Sequence, residues 1–339
     1  MAQMLATKYR PQTFEEIIGQ DSIITILQRQ IDIKQIRNTY LFCGPSGTGK
    51  TTLARCFANK INNGIGNPIE IDGASNNGVD NVKQLIQEAS ARVLAGTYKV
   101  YIIDEAHALT SQAWQAFLKC IEEPPEYTIF IFCTTDPQKI PATILNRVMR
   151  FNFNRVTNSL IEERLKTICQ TEGYTNYEEA CVNISRLADG SVRSAIALLN
   201  KCGDYNSDLS INNIVAALGN FSYKNILELI NAFIDGNEKV VLSLIDQVYQ
   251  TGSDLKLYVD QVLQTVLDID KYYLFGTLEM TKIPSIYEDD IKHALAFDSP
   301  DKYYSYLINR LMACKSAILH DTNIKMTIEV YFLNICRCQ

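Results

Sequence analysis

Residues 40–43 (YLFC) form a short apolar run that stops at a glycine, and three comparable runs follow it: residues 69–72 (IEID), 99–103 (KVYII) and 128–133 (TIFIFC). Between them the apolar positions change to helical spacing. Residues 51–62 read as one helix. Val79, Val82, Leu85, Ile86, Ala89 and Val93 put an apolar stripe on a second, predicted over residues 79–94. A third covers residues 111–121. Short strands alternating with amphipathic helices predict a mostly parallel sheet with both faces covered.

Beyond residue 157 the strand pattern stops. Residues 160–170, 177–188, 192–201 and 211–218 read as four short helices. Longer ones follow at 224–235, 239–249, 255–275, 300–320 and 324–336, with Gly236-Asn237 and Gly252-Ser253 as breaks. The expectation is an α/β module over residues 1–157, a small helical domain over 158–219 and a larger helical domain over 220–339. No internal repeat or low-complexity tract interrupts this order.

The 339 residues are 47% hydrophobic and 21% charged, as in ordinary globular chains. The net charge of −6 is unevenly spread. Residues 1–157 carry 16 Lys and Arg against 14 Asp and Glu, and residues 158–339 carry 16 against 24. The acidic second part argues against wholesale electrostatic binding of nucleic acid, so any such contact is expected to be local and N-terminal. Ten scattered cysteines without a CxxC pair fit a reducing, cytoplasmic compartment. Neither a signal peptide nor a membrane span is expected from the apolar runs.

The chemistry begins after the first strand. Residues 44–51 (GPSGTGKT) fit G-x4-G-K-[ST] between a predicted strand and a predicted helix. Gly44, Pro45, Ser46, Gly47, Thr48 and Gly49 form a loop whose backbone N–H groups can close around phosphates at a helix N-terminus. Lys50 is expected to reach the β- and γ-phosphates, Thr51 to bind Mg²⁺ through its hydroxyl, and Thr52 to complete the nucleotide-binding set. The strand VYII ends in Asp104-Glu105. Asp104 is expected to hold Mg²⁺, and Glu105 to orient or deprotonate an attacking water. DEAH (104–107) also occurs in nucleic-acid helicases, but those need a second motor domain that an all-helical C-terminal half cannot supply. Thr135, ending the next strand, is placed to touch the γ-phosphate or the water. Arg147 has two readings: a solvated helix arginine, or a guanidinium beyond the last strand that reaches a neighbouring subunit's phosphates. Arg193 starts a helix in GSVRSAIALL and is expected over the γ-phosphate.

These motifs resemble, in order and spacing, the ATPase subunit of bacterial sliding-clamp loaders, the gamma/tau family of DNA polymerase III in the AAA+ class. The resemblance rests on KYRPQTFEEIIGQD (8–21), GPSGTGKTTLA (44–54), EIDGASNNGVD (70–80), KVYIIDEAHAL (99–109), FLKCIEEPPEYTIFIFCTTDPQKIPATIL (117–145) and DGSVRSAIALL (189–199). It implies an AAA+ P-loop NTPase module, a helical lid and a helical collar. It places Tyr9, Arg10 and Pro11 near the adenine and makes Arg147 a finger acting in trans. The family's Ser-Arg-Cys triplet is here Asn146-Arg147-Val148. Family DNA contacts come from helix N-termini, which points to Ser75, Asn76, Asn77 and Gly78, with Lys83 one turn on; an ordinary Asn-Gly turn and helix cap is the competing reading.

The family's four-cysteine zinc module is replaced by NNGIGNP (62–68), so ATP and Mg²⁺ are expected and zinc is not. The chain stops at Gln339 without the tau extension, which implies a minimal loader subunit of a phage or a divergent bacterium, in the host cytoplasm in the former case. The implied partners are a sliding clamp, primer–template DNA, other loader subunits and further copies of the chain in a pentameric ring, with no membrane. Two other readings stay open: a non-hydrolysing stator of the same ring, and another AAA+ DNA-remodelling ATPase.

Overall fold

The computed structural model describes residues 3–90, 96–218, 223–319 and 321–337. Val93, Leu94, the expected boundary at 219–220, His320 and Gln339 lie outside the described residues. Contacts divide the chain into two units: Met1–Glu172 with Ala188–Asn200, and Gly173–Leu187 with Lys201–Gln339.

The first unit runs α1 (Leu5–Lys8), α2 (Asp21–Asp32), β1 (Thr39–Cys43), α3 (Lys50–Ile61), β2 (Ile69–Asp72), α4 (Val79–Ala89), β3 (Lys99–Asp104), α5 (Ser111–Glu122), β4 (Thr128–Thr134), α6 (Ala142–Leu145), β5 (Met149–Asn152) and α7 (Asn158–Glu172). Its five strands are all parallel, in the order β2-β3-β4-β1-β5. Burial on both faces explains why β1 and β4 are continuous apolar runs rather than alternating ones. Successive side chains still take opposite faces. Tyr40 and Phe42 join Leu53 and Phe57 of α3 on one side, while Leu41 and Cys43 join Trp114 and Phe117 of α5 on the other. The α5 side carries an aromatic cluster: Phe132 lies 5.0 Å from Trp114 and 5.2 Å from Phe117, ring centre to ring centre. Helix α5 starts where Thr110 caps it, accepting from Ala113 N at 3.2 Å.

Strand β5 was not expected. It has four residues, of which only Phe151 is buried, so it carries no apolar run. It lies at the sheet edge beside β1, where shortness and exposed charge such as Arg150 are tolerated. It corrects the expectation that Arg147 lies beyond the last strand, because the strand begins two residues later. Helix α2 was likewise not among the expected elements.

The second unit contains α8 (Glu178–Leu187), the end of α9 (Val192–Tyr205), α10 (Ile211–Leu218), α11 (Tyr223–Ile234), α12 (Glu238–Gln250), α13 (Leu255–Phe275), α14 (Glu288–Ala294), α15 (Pro300–Ile318) and α16 (Ile324–Arg337). Asn237 and Asp254 cap α12 and α13 through their side chains. One apolar cluster joins α11 to α16 around Phe233, Tyr258, Tyr304 and Phe332. Asp268, 1% exposed, is satisfied on both oxygens: Oδ1 accepts from Gln264 and Lys271, and Oδ2 from Lys282 N at 2.8 Å. It thereby holds the connection after α13 against that helix. Among the described residues no helix is long and apolar enough to cross a membrane.

The short link between α3 and β2 is fastened by Asn62, which is buried. Its Nδ2 donates to Tyr98 O at 2.8 Å, and its Oδ1 accepts from Thr97 N at 3.0 Å and Tyr98 N at 2.7 Å. One amide side chain thus ties the end of α3 to the entry of β3. Asn62→Ala strands these backbone groups and is expected to destabilise the protein by about 2–4 kcal/mol, read as a lower urea midpoint. A change below about 0.5 kcal/mol, as for an ordinary surface substitution, would show that the clamp is dispensable.

Candidate functional site

The glycine loop leaves the tip of β1, the strand flanked by β4 and β5. Phe153 N donates to Cys43 O at 2.7 Å, so the chain after β5 passes close to the loop's first residue. A Cβ on Gly44 would lie 2.5 Å from Phe153 O, which is why a side chain does not fit there. Gly49 caps α3 at φ +98°, in the region that favours glycine, and the helix opens at Lys50. The first-turn N–H groups of α3, unsatisfied within the helix, therefore face the loop. Thr48 Oγ1 donates to Pro45 O at 2.9 Å and tightens it.

Lys50 is 7% exposed. Its ammonium donates to Gly44 O and Pro45 O, both at 2.8 Å. Burial lowers its pKa from the usual lysine value, and the nearby Glu105 and Asp104 carboxylates oppose that shift. Thr51 Oγ1 donates to Asp104 Oδ2 at 2.8 Å. Asp104 follows Val100 and Ile102 at period two, and those residues pack on the α3 side. Strand parity thus turns its carboxylate toward Thr51. This hydroxyl and carboxylate are hard oxygen donors side by side, which fits Mg²⁺.

Glu105 has φ +46°, a left-handed conformation in a non-glycine residue at the end of β3. Its N–H donates to Asp104 Oδ1 at 3.0 Å. Thr135 Oγ1 donates to its Oε2 at 3.3 Å. The structure therefore brings Lys50, Thr51, Asp104, Glu105 and Thr135 to one edge of the sheet. His107, to which sequence reasoning assigned no role, joins them with Nδ1 3.3 Å from Glu105 Oε2.

A cleft of about 260 Å³ opens beside this edge. Ser46 to Thr52, Asp104 and Glu105 form one wall, and Tyr9, Arg10, Pro11 and Arg193 also line it. Arg10 Nε donates to Thr52 Oγ1 at 3.3 Å. Arg193 N donates to Gly47 O at 3.4 Å, bringing the start of α9 onto the glycine loop. Arg164 of α7, unremarked in the sequence, lines the same cleft and donates to Tyr9 O at 3.0 Å. Ile17, Ile18 and Ile196 supply its apolar lining. Their signal in the sequence was only ordinary apolar spacing.

Arg147 does not line the cleft. Its Nε pairs with Glu122 Oε1 at 2.7 Å and its Nη1 donates to Thr143 O at 2.8 Å, with the side chain 40% exposed. At the start of α4, Ser75 Oγ donates to Asp72 Oδ2 at 2.6 Å and Asn76 Nδ2 to Asp72 O at 3.1 Å. Those two side chains are engaged in a local turn. Asn77 and Lys83 are exposed, and Gly78 takes the N-cap position with extended backbone.

Residues 67–157 match the family described as DNA polymerase III, delta subunit. The chain is 33% identical to DNA polymerase III subunit tau of Bacillus subtilis over 99% of this chain and 63% of that one. It is 31% identical to DNA polymerase III subunit gamma of Buchnera aphidicola subsp. Acyrthosiphon pisum, covering 79% of this chain and 80% of that one. It thus spans less than two thirds of the Bacillus tau length. The fold is shared with the Thermotoga maritima RuvB Holliday junction branch migration motor, at TM-score 0.54 and 19% identity over 73% of this chain and 86% of that one. With this AAA+ P-loop fold, its added helical domains and these relatives, the chain belongs to the DNA polymerase III gamma/tau family.

Proposed function

We propose that the protein is an ATP-hydrolysing motor subunit of a sliding-clamp loader, cytoplasmic and acting in DNA replication. The observation that carries this reading is the convergence of Lys50, Thr51, Asp104, Glu105 and Thr135 at one edge of the parallel sheet. A stator can lose these groups without cost, and this chain keeps them all.

In this reading ATP lies in the cleft with its adenine toward Tyr9, Arg10 and Pro11 and its phosphates on residues 44–52. Thr51 and Asp104 would hold Mg²⁺, which when bound neutralises charge on the triphosphate. Lys50 and Arg193 face the β- and γ-phosphates. Glu105 orients a water and takes its proton as the oxygen attacks the γ-phosphorus. The bond to the β–γ bridging oxygen breaks, giving ADP and phosphate. Thr135 steadies Glu105.

Arg147 serves the site of the next subunit. Its exposure and its pairing with the half-exposed Glu122 leave it able to exchange that partner for a phosphate across an interface. Residues 158–219 act as the lid and 220–339 as the collar of a pentameric ring with other loader subunits. Leu274 and Phe275, adjacent at the end of α13, are 67% and 58% exposed and would be covered in such a ring. The ATP-bound ring would open the clamp and grip primer–template DNA, and hydrolysis would release the clamp. Asn77, Gly78 and Lys83, with Ser75 and Asn76 shaping the turn, would meet template phosphates at the start of α4.

ATPase rates of the wild type, Lys50→Ala and Arg147→Ala, with and without primer–template DNA and clamp, test this reading. DNA plus clamp is expected to stimulate the wild type. Each variant alone should lose about a thousandfold or more, and an equal mixture should regain activity because sites are shared. Normal hydrolysis by Arg147→Ala would remove the finger assignment. A wild type indifferent to DNA and clamp would favour another AAA+ machine. For the DNA contact, Lys83→Ala is expected to weaken binding uniformly across sequences. It should also reduce the slope of log affinity against log salt by about 0.9. An unchanged slope would return this turn to a plain helix cap.

A further inference from the structure

His107 occupies the short turn just after the strained Glu105, and its ring is mostly covered, with a side-chain exposure of 22%. One ring nitrogen, Nδ1, is 3.3 Å from Glu105 Oε2 and 3.3 Å from Thr134 Oγ1. Thr134 is fully buried at the end of β4, and its Oγ1 already accepts from Asp136 N at 3.0 Å. An ionised carboxylate only accepts hydrogen bonds, so its contact with Nδ1 is attractive only when Nδ1 carries the proton. In the opposite tautomer Nδ1 would accept from the Thr134 hydroxyl and offer Glu105 nothing. The two oxygens thus compete for one nitrogen, and only the Nδ1–H form lets the imidazole bind the carboxylate.

We propose that His107 is a positioning residue for the hydrolytic glutamate. Its Nδ1–H and the Thr135 hydroxyl both bind Oε2 of Glu105, fix the rotation of the carboxylate, and leave Oε1 to receive the proton of the attacking water. The turn itself supports this role. Ala108 N donates to Glu105 O at 2.9 Å, so the backbone that places Glu105 in its left-handed conformation also delivers the imidazole to the same carboxylate. Separations of 3.3 Å are long for hydrogen bonds, as is common at a hydrolytic centre before substrate aligns it. His107 is not among the residues that line the cleft, so its effect falls on the rate of the chemical step and not on nucleotide affinity.

The inference rests on Glu105 acting as the base in the proposed ATPase, and the experiment separates the two. Steady-state ATPase is measured for wild type, His107→Ala and His107→Asn with the DNA and clamp used above, alongside equilibrium binding of a fluorescent ATP analogue. His107→Ala is expected to lower kcat about tenfold to a hundredfold with Kd unchanged, because a base left to rotate loses most of its near-attack geometry. His107→Asn places an amide N–H near the Nδ1 position and is expected to restore most of the rate. Imidazole ¹⁵N shifts of the wild type, assigned among its three histidines by loss of the His107 signals in His107→Asn, should report Nδ1–H. If the wild type hydrolyses no ATP, the ATPase reading falls. If it does, a kcat within about twofold in both variants, or an Nε2–H tautomer at His107, overturns this inference alone. Loss of binding together with rate in His107→Ala, without recovery in His107→Asn, would also overturn it, by making the residue merely structural.

Discussion

The parallel register of β3, β4 and β1 is the constraint on which the site depends. Parallel pairing puts every strand's C-terminal tip at the same edge, so Gly44, Asp104 and Thr134 converge although they are far apart in sequence. Parity then sorts the tips by face. Asp104 takes the α3 side with Val100 and Ile102, where Thr51 waits for it. A slip of one residue in β3 would send the carboxylate to the α5 side and break the contact. Tyr101 of β3, stacked on Phe130 at 5.4 Å between ring centres on the α5 side, resists such a slip, because it too would be turned to the wrong face.

Unfavourable local states gather at this same edge. Lys50 is buried and its charged form is disfavoured by desolvation. Glu105 is held left-handed, and Gly44 has no room for a methyl group. Cys133, buried beside Lys50 and Asp104, has its thiol pushed well above its ordinary range and is inert packing there. Two covered sheet faces supply the apolar burial that tolerates these costs, and the result is an edge already shaped for a charged ligand. Away from this edge, Asn62 and Asp268 are buried and closely partnered. Asn62 ties the end of α3 to the entry of β3 with three hydrogen bonds, and Asp268 fixes the connection after α13.

The relatives establish the family, and the shared architecture establishes the AAA+ fold. The cleft in this chain adds what neither supplies: which side chains meet, at what distance, and through which atoms. Arg164 on the backbone of Tyr9 and His107 on the carboxylate of Glu105 are such particulars. Arg164 links the edge of the site to a helix whose sequence pattern is otherwise unremarkable.

The central strands were legible because β1, β3 and β4 are buried on both faces and therefore read as continuous apolar runs, and most helices because one face alone is apolar. β5 was hidden because an edge strand of four residues with one buried side chain leaves no pattern. The glycine loop, Lys50, Thr51, Asp104 and Glu105 were visible because their spacing is set within single turns of chain, which local sequence determines by itself. The meeting of Glu105 with His107, Thr134 and Thr135, the turn of Arg147 toward Glu122, and the commitment of Ser75 to Asp72 were decided only by tertiary structure. Those contacts depend on strand register, side-chain rotation and the exchange of one hydrogen-bond partner for another, and spacing along the chain carries no record of them.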